Sequence, residues 1–230
     1  MLTNPLLLVG FLAVTALALW AQFAVKSTFA RYAKVPARAG LTGAEVAHFV
    51  LEAGGAQGVK VEAVHGFLSD HYDPRRKVLR LSPEVYSGRT VAAFGVAAHE
   101  AGHAIQHAHR YAALTFRNMV VPTASLGSSL GIPLILIGLL FQITSLAIAG
   151  LVFFALVVFF QLLTLPVEFD ASRRAVQVLS GRGLIQSPEE EKGVKAVLTA
   201  AALTYVAAAV AAVFWLLYYG SLVLGGRRNN

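Results

Sequence analysis

Three long runs of this chain carry no charged side chain: Pro5 to Val25, Asn118 to Val167 and Ala196 to Gly226. A bilayer core takes about 20 apolar residues in a helix, so the pattern predicts one span, two spans and one span. Within the middle run, Phe141-Gln142-Ile143-Thr144-Ser145 reads as the turn of a tight helical hairpin. Pro122, Gly127, Gly131 and Pro133 in its first arm are residues that membrane helices tolerate at breaks or use for close contact, and packing is their expected use. The first run lacks a basic leader and a small-x-small cleavage site and is as long as a span, so it reads as a retained anchor.

Between the first and second runs the pattern changes. Thr42-Gly43-Ala44-Glu45 has the spacing of a capping box, with Val46, Phe49 and Val50 at helical intervals behind it and Gly54-Gly55 to close a short helix. Val59 to Val64 alternates apolar and polar as a strand does, and Lys77 to Leu81 reads as a second strand. The turn-rich Asp70-His71-Tyr72-Asp73-Pro74 lies between them, so the expected pairing is a hairpin with a wide loop. Ser82-Pro83-Glu84 signals a helix start, and Thr90 is placed to cap a further helix from Val91 to about Tyr111. The expected fold is a mostly α membrane protein of about four transmembrane helices, with a small α+β domain between helices 1 and 2. Its segments are an anchor (1–25), the domain (26–117), the hairpin (118–167), a connecting segment (168–195), and the last helix with its tail (196–230).

Composition agrees with a membrane protein. The chain is 57% hydrophobic with a mean hydropathy of +0.64. Its net charge of +7 comes from basic residues beside the spans. Lys26, Arg31, Lys34, Arg38, Arg110 and Arg117 flank the first loop, and Arg173, Arg174, Arg182, Lys192 and Lys195 crowd the third. The other side has only Arg227 and Arg228, so both long loops are expected in the cytoplasm of a multi-pass inner-membrane protein. Anionic headgroups account for the basic residues, no nucleic-acid motif is visible, and the lipid bilayer is the expected partner. With no cysteine, a metal must be held by nitrogen and oxygen.

The chemistry centres on His99-Glu100-Ala101-Gly102-His103. Imidazoles four apart on a helix are offset by roughly 40° and about 6 Å, so both can reach one ion. Glu100, roughly 100° round from His99, sits beside that ion as a base rather than a ligand. Random placement gives roughly 0.008 matches to H-E-x-x-H in a chain of this composition, which favours a site over a solvated His-rich tract containing His107 and His109. A catalytic zinc needs a third protein ligand and an open position. His107 lies about 12 Å along a straight helix from His99, too far to share an ion held at about 2 Å, and Gln106 stands where a helix-breaking glycine would be needed. Glu168 is the first charge after the hairpin, and an up-and-down hairpin returns it to the membrane face that holds the motif.

Three stretches together, Gly66 to Pro74, Ala97 to Gln106 and Leu165 to Ala175, resemble the YugP-like neutral zinc metallopeptidases of bacterial membranes. The likeness follows the whole chain in order and implies a zincin-like domain with zinc at His99 and His103 and Glu100 as base. More distantly the pattern is similar to the gluzincins, which take a Glu from a later helix as third ligand and place an Asp four residues after it. Glu168 matches that Glu; the position four on is Ser172, expected to hydrogen-bond a ligand imidazole, while Asp170 is expected to face away. His65, His71 and Tyr72 are the candidate donors to an oxyanion. The expected function is a zinc-dependent endopeptidase acting on peptides or membrane proteins; the alternative is a non-catalytic membrane scaffold with a structural zinc. A metal transporter would want ionisable residues within the spans, and the three runs have none.

Overall fold

The computed structural model describes residues 5–225, so Arg227 and Arg228 lie outside the described residues. Among the described residues four helices are long and apolar enough to cross a membrane: α1 (Pro5–Tyr32), α5 (Ala112–Leu140), α6 (Thr144–Gly181) and α7 (Pro188–Gly225). Between α1 and α5 lie α2 (Gly43–Ala53), β1 (Lys60–Ala63), β2 (His71–Asp73), β3 (Val78–Leu81), α3 (Pro83–Tyr86) and α4 (Val91–Ala108). The described residues are therefore mostly helical with one small sheet. They divide into two compact units: one of residues 5–20, 116–165 and 204–225, the other of 21–115 and 166–203.

In the first unit the hairpin turns where its sequence suggests. Gln142 adopts a left-handed conformation (φ 58°), and Ile143 N–H closes the end of α5 by donating to Gly138 O at 2.8 Å, as in a Schellman motif. Neither Pro122 nor Pro133 breaks α5. Glycines let α5 and α6 approach closely: a Cβ on Gly150 would lie 2.6 Å from Ile135 N, and one on Gly131 3.1 Å from Phe154 N. This is small-residue packing in an apolar solvent. Ile135, Ala147, Phe154, Val158, Tyr218 and Tyr219 are buried there.

In the second unit α2 begins with a complete capping box: Thr42 Oγ1 accepts from Glu45 N at 3.2 Å, and Thr42 N donates to Glu45 at 2.6 Å. Replacing Thr42 with Ala should cost about 1 kcal/mol, measurable as a lower denaturation midpoint of the detergent-solubilised protein. The strands depart from the expected hairpin. β1 pairs parallel with β3, β3 is central, and β2, formed by residues expected in a turn, pairs antiparallel with it. The hairpin is thus β2–β3, turned at Asp73, whose carboxylate accepts from the backbone of Arg75 and Arg76. The long excursion from β1 to β2 reverses the chain once more than a simple hairpin would, which makes β1 and β3 parallel.

The core of this unit gathers Val46, Val50, Leu79, Leu81, Val85, Phe94 and Leu179 around α4. Thr90 Oγ1 caps α4 by accepting from Ala93 N at 3.3 Å. Ala97, Ala98, Ala101 and Ala104 are almost fully buried on it. Such small side chains bring the backbone of α6 close: a Cβ on Gly102 would meet Ala171 O at 2.7 Å. Gly102→Ala should therefore push α4 and α6 apart, costing about 1–3 kcal/mol in thermal unfolding and weakening metal uptake in the same preparation.

Candidate metal centre

α6 is 38 residues long, about 57 Å at 1.5 Å per residue, so it runs well past a bilayer core of about 30 Å. The helix passes Val167, the end of the uncharged run, without a break, and its charged continuation carries Glu168, Asp170 and Ser172. These three belong to the same unit as α4.

His99, His103 and Glu168 offer ligand atoms that all lie within 4.8 Å of one another, a group that could hold a metal ion. One oxygen, Glu168 Oε2, is 3.2 Å from His99 Nε2 and 3.5 Å from His103 Nε2. Tetrahedral zinc with bonds of about 2.0–2.1 Å sets its ligand atoms about 3.3–3.4 Å apart, so these separations match the edges of such a site. Glu168 is 2% exposed and His99 8%, which leaves the group largely screened from water.

The outer imidazole nitrogens are occupied. His99 Nδ1 is 3.1 Å from Ser172 Oγ, and His103 Nδ1 is 3.1 Å from Gln106 Oε1. Gln106 is fully buried, and its amide donates to Val167 O at 2.8 Å and to Asp170 Oδ2 at 2.9 Å. Asp170 is buried as well and accepts from both Arg173 and Arg174. It makes no hydrogen bond with an imidazole but does not face away from α4: its carboxylate points at Gln106. Sequence reasoning saw Gln106 only as a missing glycine. Its spacing held the clue, since residues 99, 103 and 106 share one face of α4 and a buried amide on that face needs partners.

Burial alone would lower the proton affinity of His103, but the Glu168 hydrogen bond and the charges of Glu100 and Glu168 outweigh it and raise it. Glu100 is half-buried on α4, and its charge is also felt at Asp70. His71 is exposed, with Nδ1 at 2.8 Å from Ser69 O and Nε2 at 3.4 Å from Arg80. Tyr72, on β2, brings its hydroxyl to 2.8 Å from His107 Nδ1. His107 is not part of the convergent group.

Asp70 accepts from Ser82 N at 2.7 Å and from Ser82 Oγ at 3.1 Å, so Ser82 serves this carboxylate and makes no side-chain cap for α3. Burial pushes the Asp70 carboxyl above its ordinary 3.8, against the Ser82 backbone bond that lowers it, with the Glu100 charge adding to the rise. A raised folded value favours the protonated form, so this group's stabilisation is full below 3.8 and is lost as pH rises through the folded value. Across that window the unfolding midpoint of the wild type should fall relative to Asp70→Asn, followed by thermal scans at stepped pH.

The chain matches, over residues 7–224, the model of a family described as "Putative neutral zinc metallopeptidase". It is 49% identical over 222 residues, 96% of this chain and 98% of the relative, to "Putative membrane protease YugP" of Bacillus subtilis (strain 168). The chain belongs to this family. No solved structure matches it. With four apolar helices and a relative called a membrane protease, it is a multi-pass membrane protein.

Proposed function

We propose that this protein is an integral-membrane zinc endopeptidase, with His99, His103 and Glu168 as ligands and Glu100 as general base. The observation that carries the reading is the convergence of two Nε2 atoms on one carboxylate oxygen at zinc-like separations, inside a zinc metallopeptidase family. Zinc held there would polarise a water molecule and a scissile carbonyl. Glu100 takes the proton from the attacking water at its carboxylate and returns it to the departing amine nitrogen. Ser172 Oγ, 3.1 Å from His99 Nδ1, is placed to accept from that nitrogen and so to hold the ring with Nε2 toward the metal position. Tyr72, whose neutral phenol is favoured by burial and by the charge of Asp73, is the better oxyanion donor; His71 is exposed.

The positive-inside bias supports an active site on the cytoplasmic face of a bacterial inner membrane. Peptide segments of membrane proteins near that face are the proposed substrates, and the bilayer is the partner. The test is metal analysis of the purified protein together with cleavage of a membrane-protein panel by wild type. One zinc per chain with cleavage supports the reading. One zinc with no cleavage anywhere in the panel turns it into the structural-zinc scaffold.

A further inference from the structure

A buried amide can point either way unless its partners decide. On one side of Gln106 stand Val167 O and Asp170 Oδ2, at 2.8 and 2.9 Å. A backbone carbonyl and a carboxylate held by two arginines only accept, so the Gln106 NH₂ must face them. Its Oε1 is thereby turned to His103 Nδ1 at 3.1 Å. An oxygen there can only accept, so Nδ1 carries a ring proton, and Nε2, 3.5 Å from Glu168 Oε2, is the nitrogen turned toward the metal position, free to bind once a metal displaces any proton it shares with that carboxylate.

We infer that Gln106 is a positioning residue for the metal centre, which fixes the tautomer and rotation of His103 through an Arg–Asp170–Gln106 relay running from α6 into α4. This rests on the zinc reading above. The gluzincin pattern gives such a role to an Asp four residues beyond the ligand Glu, where this chain has Ser172. Ser172 serves His99, and the relay through Asp170 supplies the second imidazole anchor, at His103, by way of an amide. Both anchors therefore start on the turn of α6 that also presents Glu168, so a single helix segment orients the three ligands together.

The test is zinc affinity of the full-length detergent-solubilised chain, measured by competition with a chromophoric chelator, which needs no substrate. Gln106→Met keeps length and apolar volume but offers His103 no comparable acceptor. It should weaken zinc binding about 10- to 100-fold, the usual loss when a ligand imidazole's partner is removed. The double variant Gln106→Met with Asp170→Ala tests the route: if Asp170 acts on His103 through the Gln106 amide, its removal adds nothing once that amide is gone. Asp170→Ala alone should weaken zinc binding, while the double variant should bind within about threefold of Gln106→Met, a non-additivity that a merely space-filling role for Gln106 would not produce. Wild-type affinity in the Gln106→Met variant overturns the inference, and so does a double variant about tenfold or more weaker than Gln106→Met. If Gln106→Met fails to fold, Asp170→Ala decides alone, and wild-type affinity there overturns the inference. A wild-type chain that takes up no zinc would sink the zinc reading itself, whereas zinc binding insensitive to Gln106 sinks only the relay.

Discussion

Glu100→Gln should bind zinc as the wild type does and lose about 10²- to 10⁴-fold in cleavage rate, the range over which a positioned general base contributes. The two halves of that expectation have separate grounds. Zinc uptake should survive because the convergent donors are His99, His103 and Glu168, and Glu100 is not among them. Turnover should fall because glutamine has the shape of glutamate without an oxygen that takes up a proton near neutral pH. The measurement is zinc content beside the initial rate on a substrate that wild type cleaves. A variant that cleaves normally removes Glu100 from the chemistry; one that loses zinc makes it a structural residue of the site. Charge neutralisation also acts on its neighbours, since Glu100 raises both Asp70 and His103. A zinc affinity within a few-fold of wild type would show that this field is secondary to direct ligation.

How far the sequence carries depends on the range of the interaction concerned. The spans were legible because the absence of charge is a property of contiguous residues, and so were the caps at Thr42 and Thr90, which reach only three positions. The pairing of β1 with β3 was not. Four-residue strands have no side-chain pattern that tells parallel from antiparallel, and the residues of β2 are those that also favour turns. The proximity of Glu168 to the motif followed from topology, because a two-helix hairpin must end on the face it left. The role of Asp170 did not follow, since a helical wheel for α6 reports direction only. That carboxylate reaches α4 because Gly102 and the buried alanines let the two backbones nearly touch, and Gln106, one turn beyond His103, fills the remaining gap.

Glu168→Ala should abolish stoichiometric zinc binding and with it all activity. An outer partner of a ligand is worth about 10- to 100-fold in affinity, so loss of the ligand itself should cost more than about 100-fold. Two imidazoles on one helix would remain, with no anionic donor against the ion and with the face once covered by Glu168 open to water. The substitution also removes the shared partner of His99 Nε2 and His103 Nε2, so the metal-free protein should be destabilised too. Glu168→Gln separates the effects: its amide oxygen keeps the packing and one weak donor, so the fold should hold while zinc affinity still drops. Chelator competition and thermal unfolding, read on the same three proteins, distinguish a ligand from a packing residue. If Glu168→Gln retained wild-type affinity, the two histidines would have to draw their third ligand from elsewhere, and the separations of 3.2 and 3.5 Å would describe an ordinary buried ion pair.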